Sequence, residues 1–402
     1  MSPSPAGSAL VLDLDTRAGL CTARSLGRAG VTVAVAARDG RASGLRTRYA
    51  SRRVALPAPE DDLGAFGDAI LDALRSEPAD VTTASIDSSV EVLHRRRDEF
   101  ARLTSPALGD PDAVEIALSK ERTLEVARAL GVAVPRSHLT RSPAEALAAV
   151  EEVGLPCVFK PESSWRDLGG GGERLGPSLA LDADHARGLA ASLVRDGAPV
   201  LVQELATGSR ETIKLFRASG RTVASVAMSV ERTWPPLVGG SSVMRWTTAP
   251  PEDCLTAAER LVSEIGLDGY SEVEFRRDGN GTPLLMEINP RLSQSVEVAV
   301  RAGVDFPRLQ FEWARGGTLP DVTAPTLGLR VGWLAGDLRL LVAALRGGVE
   351  PRPPLRGTLA GLARDYVRHR SRLEGLDLRD LRPVVGGVVF AVGRLGGSKS
   401  GS

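Results

Sequence analysis

The chain has 402 residues, with 50 basic and 50 acidic side chains that balance to a formal net charge of zero. That balance argues against a general nucleic-acid binder, and 43% hydrophobic residues over this length suit two or three packed units. Three cysteines with no C-x-x-C pair and four histidines without paired spacing indicate neither a disulfide framework nor a zinc site.

From the start, Met1-Ser2-Pro3-Ser4-Pro5 lacks a basic region followed by an apolar core, so the expected location is cytoplasmic. Apolar runs at 8–14 and 31–36 flank a helical stretch from Thr16 to Ala29. Val54 to Leu56, a helix over Asp61–Arg75, and Val81 to Ala84 continue the alternation. Strand and helix in turn imply a parallel sheet with helices on both faces, over residues 1 to about 110. Its first turn has no G-x-G-x-x-G, so a dinucleotide is not supported. Asp87-Ser88-Ser89 follows the fourth strand, where such sheets place ligands, but a helix N-cap is the favoured reading. Arg95, Arg96 and Arg97 read as a solvated helix face.

A helix is expected from Ser119 to Gly131, with Lys120 in its first turn, and another from Pro143 to Val153. The apolar strand Leu155–Phe159 ends at Lys160, a poor core residue and a good point charge for a phosphate. Gly169, Gly170, Gly171 and Gly172 follow; without side chains their backbone N–H groups can close around an anion. No Gly-Lys-Ser/Thr opens a helix here, so this is not a Walker A loop. A second strand, Pro199 to Leu205, is placed to run along an adenine edge through Gln203, Glu204 and Leu205, with Glu211 reaching the ribose hydroxyls.

The most telling stretch is Glu274-Phe275-Arg276, a turn at Asp278-Gly279-Asn280-Gly281, and then Glu287-Ile288-Asn289-Pro290-Arg291. It reads as a β-hairpin that sets Glu274 opposite Glu287, with Asn289 on the same face two residues on. Three converging oxygen ligands suit Mg²⁺ that keeps nucleotide phosphates as its remaining ligands. The alternative is a pair of ordinary solvent-facing carboxylates. Beyond 325, Leu338–Leu345 and Leu359–Arg370 look like amphipathic helices around a Pro351–Pro354 linker. The run Val384–Val392 is too short to span a bilayer, and Gly396 to Ser402 is expected to be disordered.

Taken in order, Lys120, Lys160, the glycine run, Glu204, Glu211, Glu274, Glu287, Asn289 and Arg291 resemble an ATP-grasp enzyme. Order and spacing are similar to those of biotin carboxylase, carbamoyl phosphate synthetase and D-alanine–D-alanine ligase. The resemblance implies an α/β and α+β architecture: a Rossmann-like domain over 1–110, a two-lobed ATP-grasp fold over 111–320, and a helical or mixed extension over 321–402. The lid lobe would span about 130–205 and the metal-binding lobe about 206–320. By the same resemblance Lys120 and Lys160 contact the phosphates of ATP, the glycines cover them, and Gln203 to Leu205 and Glu211 hold the nucleoside. Two Mg²⁺ ions, replaceable by Mn²⁺, sit on Glu274, Glu287 and Asn289, and Arg291 faces the transferred phosphoryl group.

The segment Trp234–Val243 and Arg291-Leu292-Ser293-Gln294-Ser295 are similar to a branch that includes amino-acid-ligating members, in which the residue at Gln294 is usually small. Ser241, Ser242, Arg245, Ser293 and Ser295 are then candidates for contacting substrate. The implied activity is an ATP-dependent carboxylate–amine ligase acting on small molecules, with a phosphotransferase, a carboxylase and a non-catalytic nucleotide-binding regulator as alternatives. Neither nucleic acid nor membrane is an expected partner, and a homodimer is possible.

Overall fold

A computed structural model of the chain describes residues 7–167, 171–194 and 198–385; the tail expected to be disordered lies outside them. Five parallel strands open the molecule: β1 (Ser8–Val11), β2 (Thr32–Ala37), β3 (Ala50–Ala55), β4 (Val81–Thr83) and β5 (Ser105–Pro106), in the order β3-β2-β1-β4-β5. The alternating strand–helix pattern of the first hundred residues thus closes as a parallel sheet. Thr16 caps the helix Arg17–Arg28 by accepting from the Gly19 N–H, and that helix buries Ala18, Ala23 and Leu26. Gly19 lies so close to the first turn that a Cβ would stand 2.3 Å from the Asp13 carbonyl.

The second sheet is antiparallel: β6 (Ser137–Thr140), β7 (Cys157–Pro161), β10 (Ser178–Ala180) and β11 (Val200–Glu204) stand in the order β10-β7-β11-β6. Between β7 and β10 the chain makes a two-stranded hairpin, β8 (Trp165–Asp167) with β9 (Gly172–Arg174). The helices Pro143–Val153 and Ala183–Leu193 cover this sheet, burying Ala146, Ala149, Ala186 and Ala190 against Phe159 and Val202.

The third sheet has seven strands: β12 (Arg210–Ala218), β13 (Arg221–Trp234), β14 (Ser241–Thr248), β15 (Gly269–Arg277), β16 (Pro283–Asn289), β17 (Arg330–Gly332) and β18 (Arg372–Leu373). Their order is β16-β15-β12-β13-β14-β17-β18. The late residues therefore extend this sheet, through Met244 to Trp246 of β14 paired with Arg330 to Gly332. Helix Glu252–Glu264 packs its Cys254, Ala258, Leu261 and Val262 face against the sheet beneath Ile213 and Phe275.

Candidate functional site

The turn Asp278–Gly281 sets the register on which the site depends. Asp278 Oδ1 accepts from the N–H of Asn280 and of Thr282, 2.8 Å each, which folds the chain back on itself. Glu274 then pairs directly across from Glu287, and Glu272 across from Asn289. Asn289 Nδ2 donates to Glu287 Oε1 at 3.1 Å, so the amide and the carboxylate share a face as the strand alternation requires.

These residues form one wall of a cavity of about 560 Å³, a volume suited to a small organic ligand. Lys120, Lys160, Gln203, Glu204, Leu205 and Arg291 line the same space. Lys160 Nζ donates to Gln203 Oε1 at 2.5 Å; among the described residues it meets no carboxylate directly, and Gln203 Nε2 is buried without a partner. Burial therefore depresses the Lys160 ammonium to about 8, with the Glu287 charge offsetting part of the fall. Lys120 begins the helix Lys120–Ala129 and reaches Ser164 Oγ at 3.3 Å. Arg291, from the loop after β16, donates Nε to Asp87 Oδ1 at 2.6 Å.

The carboxylates are unequal. Burial raises the Glu274 carboxyl, Arg210 offsets part of that, and Glu287 opposite raises it again, to about 7. For Glu287, burial opposes ionisation, but Lys120, the Asn289 amide and Lys160 outweigh it and hold the carboxyl below its ordinary range. Two buried acids facing each other, one reluctant to ionise, are what a divalent cation would relieve. Among the described residues no three His, Cys, Asp or Glu side chains converge as a metal site. The donor set here is two carboxylates and an amide, which leaves the remaining positions to phosphate oxygens and water.

Several expected residues stand elsewhere. Glu211 does not line the cavity. It points to the opposite face of β12, where Arg277 Nε donates to it at 3.0 Å and the Cys254 thiol at 3.1 Å. Its neighbours Arg210 and Lys214 face the other way: Arg210 pairs with Glu274, and Lys214 pairs with Glu272. The signal was present, because Glu211 and Ile213 share a face and Ile213 belongs to the core.

Arg245 is also corrected. It is fully buried, lies outside the cavity lining and pairs with Glu374. Asp87 is not a helix cap: it is the first residue of the helix Asp87–Arg95, makes no capping bond, and its carboxylate holds Arg291 instead, while Asp13 Oδ2 accepts from the N–H groups of Ser85 and Ile86 just before the helix at 2.7 and 3.1 Å.

Ser241, Ser242, Ser293 and Ser295 do line the cavity, and Lys214 Nζ donates to Ser293 Oγ at 3.0 Å and Ser295 Oγ at 2.7 Å. Gln294 accepts the Arg17 N–H at 3.1 Å and donates to the Ser85 carbonyl at 3.2 Å, tying the acceptor end to the first domain. Glu204 lines the cavity while its carboxylate is engaged by Arg136. Gly169 and Gly170 lie outside the described residues. The Gly172 N–H donates to the Glu60 carbonyl at 3.0 Å, and a Cβ on Gly171 would stand 2.2 Å from that oxygen. Their backbone approaches the first domain, and Arg174 to Ser178 supply another wall of the cavity.

A family model described as "ATP-grasp in the biosynthetic pathway with Ter operon" matches residues 197–336, the segment that carries β11 to β17 and the paired carboxylates. That segment belongs to the ATP-grasp superfamily. Among curated proteins it is 31% identical over 230 residues to the carbamoyl phosphate synthase large chain of Rubrobacter xylanophilus, covering 54% of this chain and 21% of that one. The large chain from Archaeoglobus fulgidus is 29% identical over 225 residues, 52% of this chain and 20% of that one. The match thus spans about a fifth of the length of those relatives.

Its fold is that of several solved structures. L-amino acid ligase from Bacillus licheniformis superposes with a TM-score of 0.61 at 16% identity, covering 79% of this chain and 76% of that one. Biotin carboxylase from Campylobacter jejuni gives 0.62 at 18%, with 81% and 74% covered. The purK N5-carboxyaminoimidazole ribonucleotide synthetase, in its ADP complex, gives 0.63 at 14%, with 91% and 98% covered.

Proposed function

We propose that the cavity binds ATP with magnesium and that this chain is a carboxylate–amine ligase working through an acyl phosphate. The observation that carries the proposal is the direct pairing of Glu274 with Glu287 on a cavity wall that also presents Asn289, Lys120, Lys160 and Arg291. When bound, magnesium would neutralise charge on the phosphoryl oxygens in transfer. Glu274, Glu287 and Asn289 would hold it, Lys120 and Lys160 would bind the phosphates, and Gln203 to Leu205 the base.

A carboxylate does not react with an amine at neutral pH, because oxide is too poor a leaving group. Attack of a carboxylate oxygen on the γ-phosphorus forms an O–P bond, breaks the β–γ bridge and releases ADP. The amine then attacks the acyl carbon; the C–N bond forms, the C–O bond to phosphate breaks, and the amine's surplus proton leaves with phosphate or solvent. The protein supplies alignment and charge, with Arg291 beside the phosphoryl group and no side-chain nucleophile. The Arg174–Ser178 wall would exclude water, which would otherwise hydrolyse the acyl phosphate.

Beyond the paired acids the cavity continues to Ser241, Ser242, Ser293, Gln294 and Ser295, room for an organic acid and amine rather than bicarbonate alone. Two solved neighbours bracket the choice, one described as an L-amino acid ligase and one as a biotin carboxylase. Hydroxylamine separates a ligase from a phosphotransferase and from a regulator. With a matrix of amino acids and small carboxylic acids, MgATP and hydroxylamine, a ligase yields ADP and a hydroxamate. A stable phosphorylated product would instead assign a phosphotransferase, and no magnesium-dependent ADP would leave a nucleotide-binding regulator.

The site's titration gives a second expectation. Below about pH 7 Glu274 takes up a proton and loses its cation affinity; above about pH 8 Lys160 loses its charge and its hold on phosphate. Calorimetric MgADP affinity should therefore peak between those values and fall on both sides. The fall approaches about tenfold per pH unit at each limb. A flat profile from pH 6 to 9 would remove both residues from the nucleotide site.

A further inference from the structure

Helix Leu334–Arg346 has two apolar faces. One, carrying Gly336, Leu340, Ala343 and Ala344, is buried, and Gly336 lets the helix lie so close that a Cβ would stand 2.8 Å from Val243. The other carries Leu334, Leu338, Val342 and Leu345, spaced four, four and three residues apart, and all four are exposed. The adjacent helix Leu355–Leu362 adds Leu355 and Leu359, also exposed. Of the fourteen large apolar side chains exposed among the described residues, eleven lie from Leu334 onward. Single exposed leucines need no explanation, but an aligned stripe across two helices does.

The charge around this stripe is one-sided. All eight arginines between 334 and 372 are exposed, while the only exposed acidic residue there is Glu350. The other two acids in that span, Asp337 and Asp365, are buried and paired with Arg232. Arg364 is held by Glu231 and Asp365, and Arg352 donates to the Ala344 carbonyl, so not every guanidinium is free. Arg339, whose guanidinium lies over the Trp333 ring at 5.3 Å, and Arg346 nevertheless flank the apolar stripe on its own helix, where long cationic side chains can reach up while their stems stay against apolar surface. A basic apolar face of this strength, on a chain of zero net charge, is a localised feature.

We propose that this face docks the protein peripherally on an anionic lipid surface, with the leucine and valine stripe entering the acyl boundary and the arginines at the phosphate level. A second copy is the weaker occupant, because pairing the face with itself brings like charges together with only Glu350 to offset them. An acidic protein is weaker too, because the exposed apolar groups are all leucine and valine, without an aromatic anchor of the kind that dominates protein interfaces. No helix among the described residues is long and apolar enough to cross a membrane, and docking on a surface requires none.

Flotation of the full chain with vesicles tests this. Vesicles of phosphatidylcholine with about one third phosphatidylglycerol should carry the protein at 50 mM salt. Binding should fall at least about tenfold at 500 mM salt, and phosphatidylcholine alone should not bind it. Leu338→Gln with Val342→Gln, and separately Arg339→Glu with Arg346→Glu, should each lower binding about tenfold or more while the cooperative melt is retained. Absence of flotation at low salt, or equal binding to neutral and anionic vesicles, would overturn the proposal. So would a concentration-dependent dimer abolished by Leu338→Gln, which assigns the face to a second copy. Vesicle binding that appears only after truncation at Val385 would assign it to residues 386–402 instead.

Discussion

Glu287→Gln is expected to lower magnesium-dependent ATP turnover on the order of 10³-fold while the cooperative thermal melt stays essentially unchanged. Glu287 stands opposite Glu274, accepts from Asn289, and feels Lys120 and Lys160 across the cavity. An amide at this position keeps the shape and one acceptor oxygen but removes the charge that would bind the cation. The fold should change little, because relief of the like-charged Glu274 across the strand pair opposes the lost attraction to Lys120 and Lys160. ADP release by coupled assay, run beside the melt, checks both halves. Turnover within about threefold of the unaltered chain would remove Glu287 from the metal site.

Lys214→Met is expected to produce the largest loss of stability in the ATP-grasp body, about 3–5 kcal/mol. Lys214 is fully buried, ion-paired with Glu272, and donates to Ser293 and Ser295. Burial opposes the ionisation of Glu272, yet Lys214 and its hydrogen bonds hold the carboxyl down to about 2. Without the ammonium, Glu272 is left buried and unpaired, so it must either take up a proton or draw in water. The double variant Lys214→Met with Glu272→Gln should recover roughly half or more of the loss, since replacing both members of a buried pair costs far less than orphaning one. Urea melts of the three proteins measure this. A single variant as stable as the parent would mean that the pair contributes nothing to holding β12 against β15.

Local chemistry made the hairpin legible. Asp278 at the turn and two-residue spacing from Glu287 to Asn289 are enough to place three donors on one face, and the register pairs Glu274 with Glu287. The alternation of apolar runs and helical stretches likewise sufficed for the parallel sheet. What was not legible depends on partners far away in the chain. Arg245 reads as a substrate contact because it follows Ser241 and Ser242 after the paired glycines, but its counter-ion is Glu374, 129 residues on. Asp87 read as a helix cap because that is what an aspartate at a helix start usually does. Its partner Arg291 is 204 residues away, and no helix-start signal reports it. Glu211 was a different failure: the strand was right and the face was wrong, and Arg210 faces the cavity in its place.

The first-domain contacts carry a related lesson. Gln294 joins the Arg17 N–H to the Ser85 carbonyl, so it ties the loop after β16 to the first domain as well as lining the pocket. Only the tertiary arrangement distinguishes those roles.

Titration of ADP into the full chain by calorimetry, once with excess magnesium and once with the metal chelated, tests the nucleotide site most directly. The paired carboxylates predict saturable binding with magnesium, weakened at least about tenfold by chelation and by Glu287→Gln alike. Saturable binding that is indifferent to both, or no binding at all, would contradict the assignment of this cavity to a magnesium nucleotide.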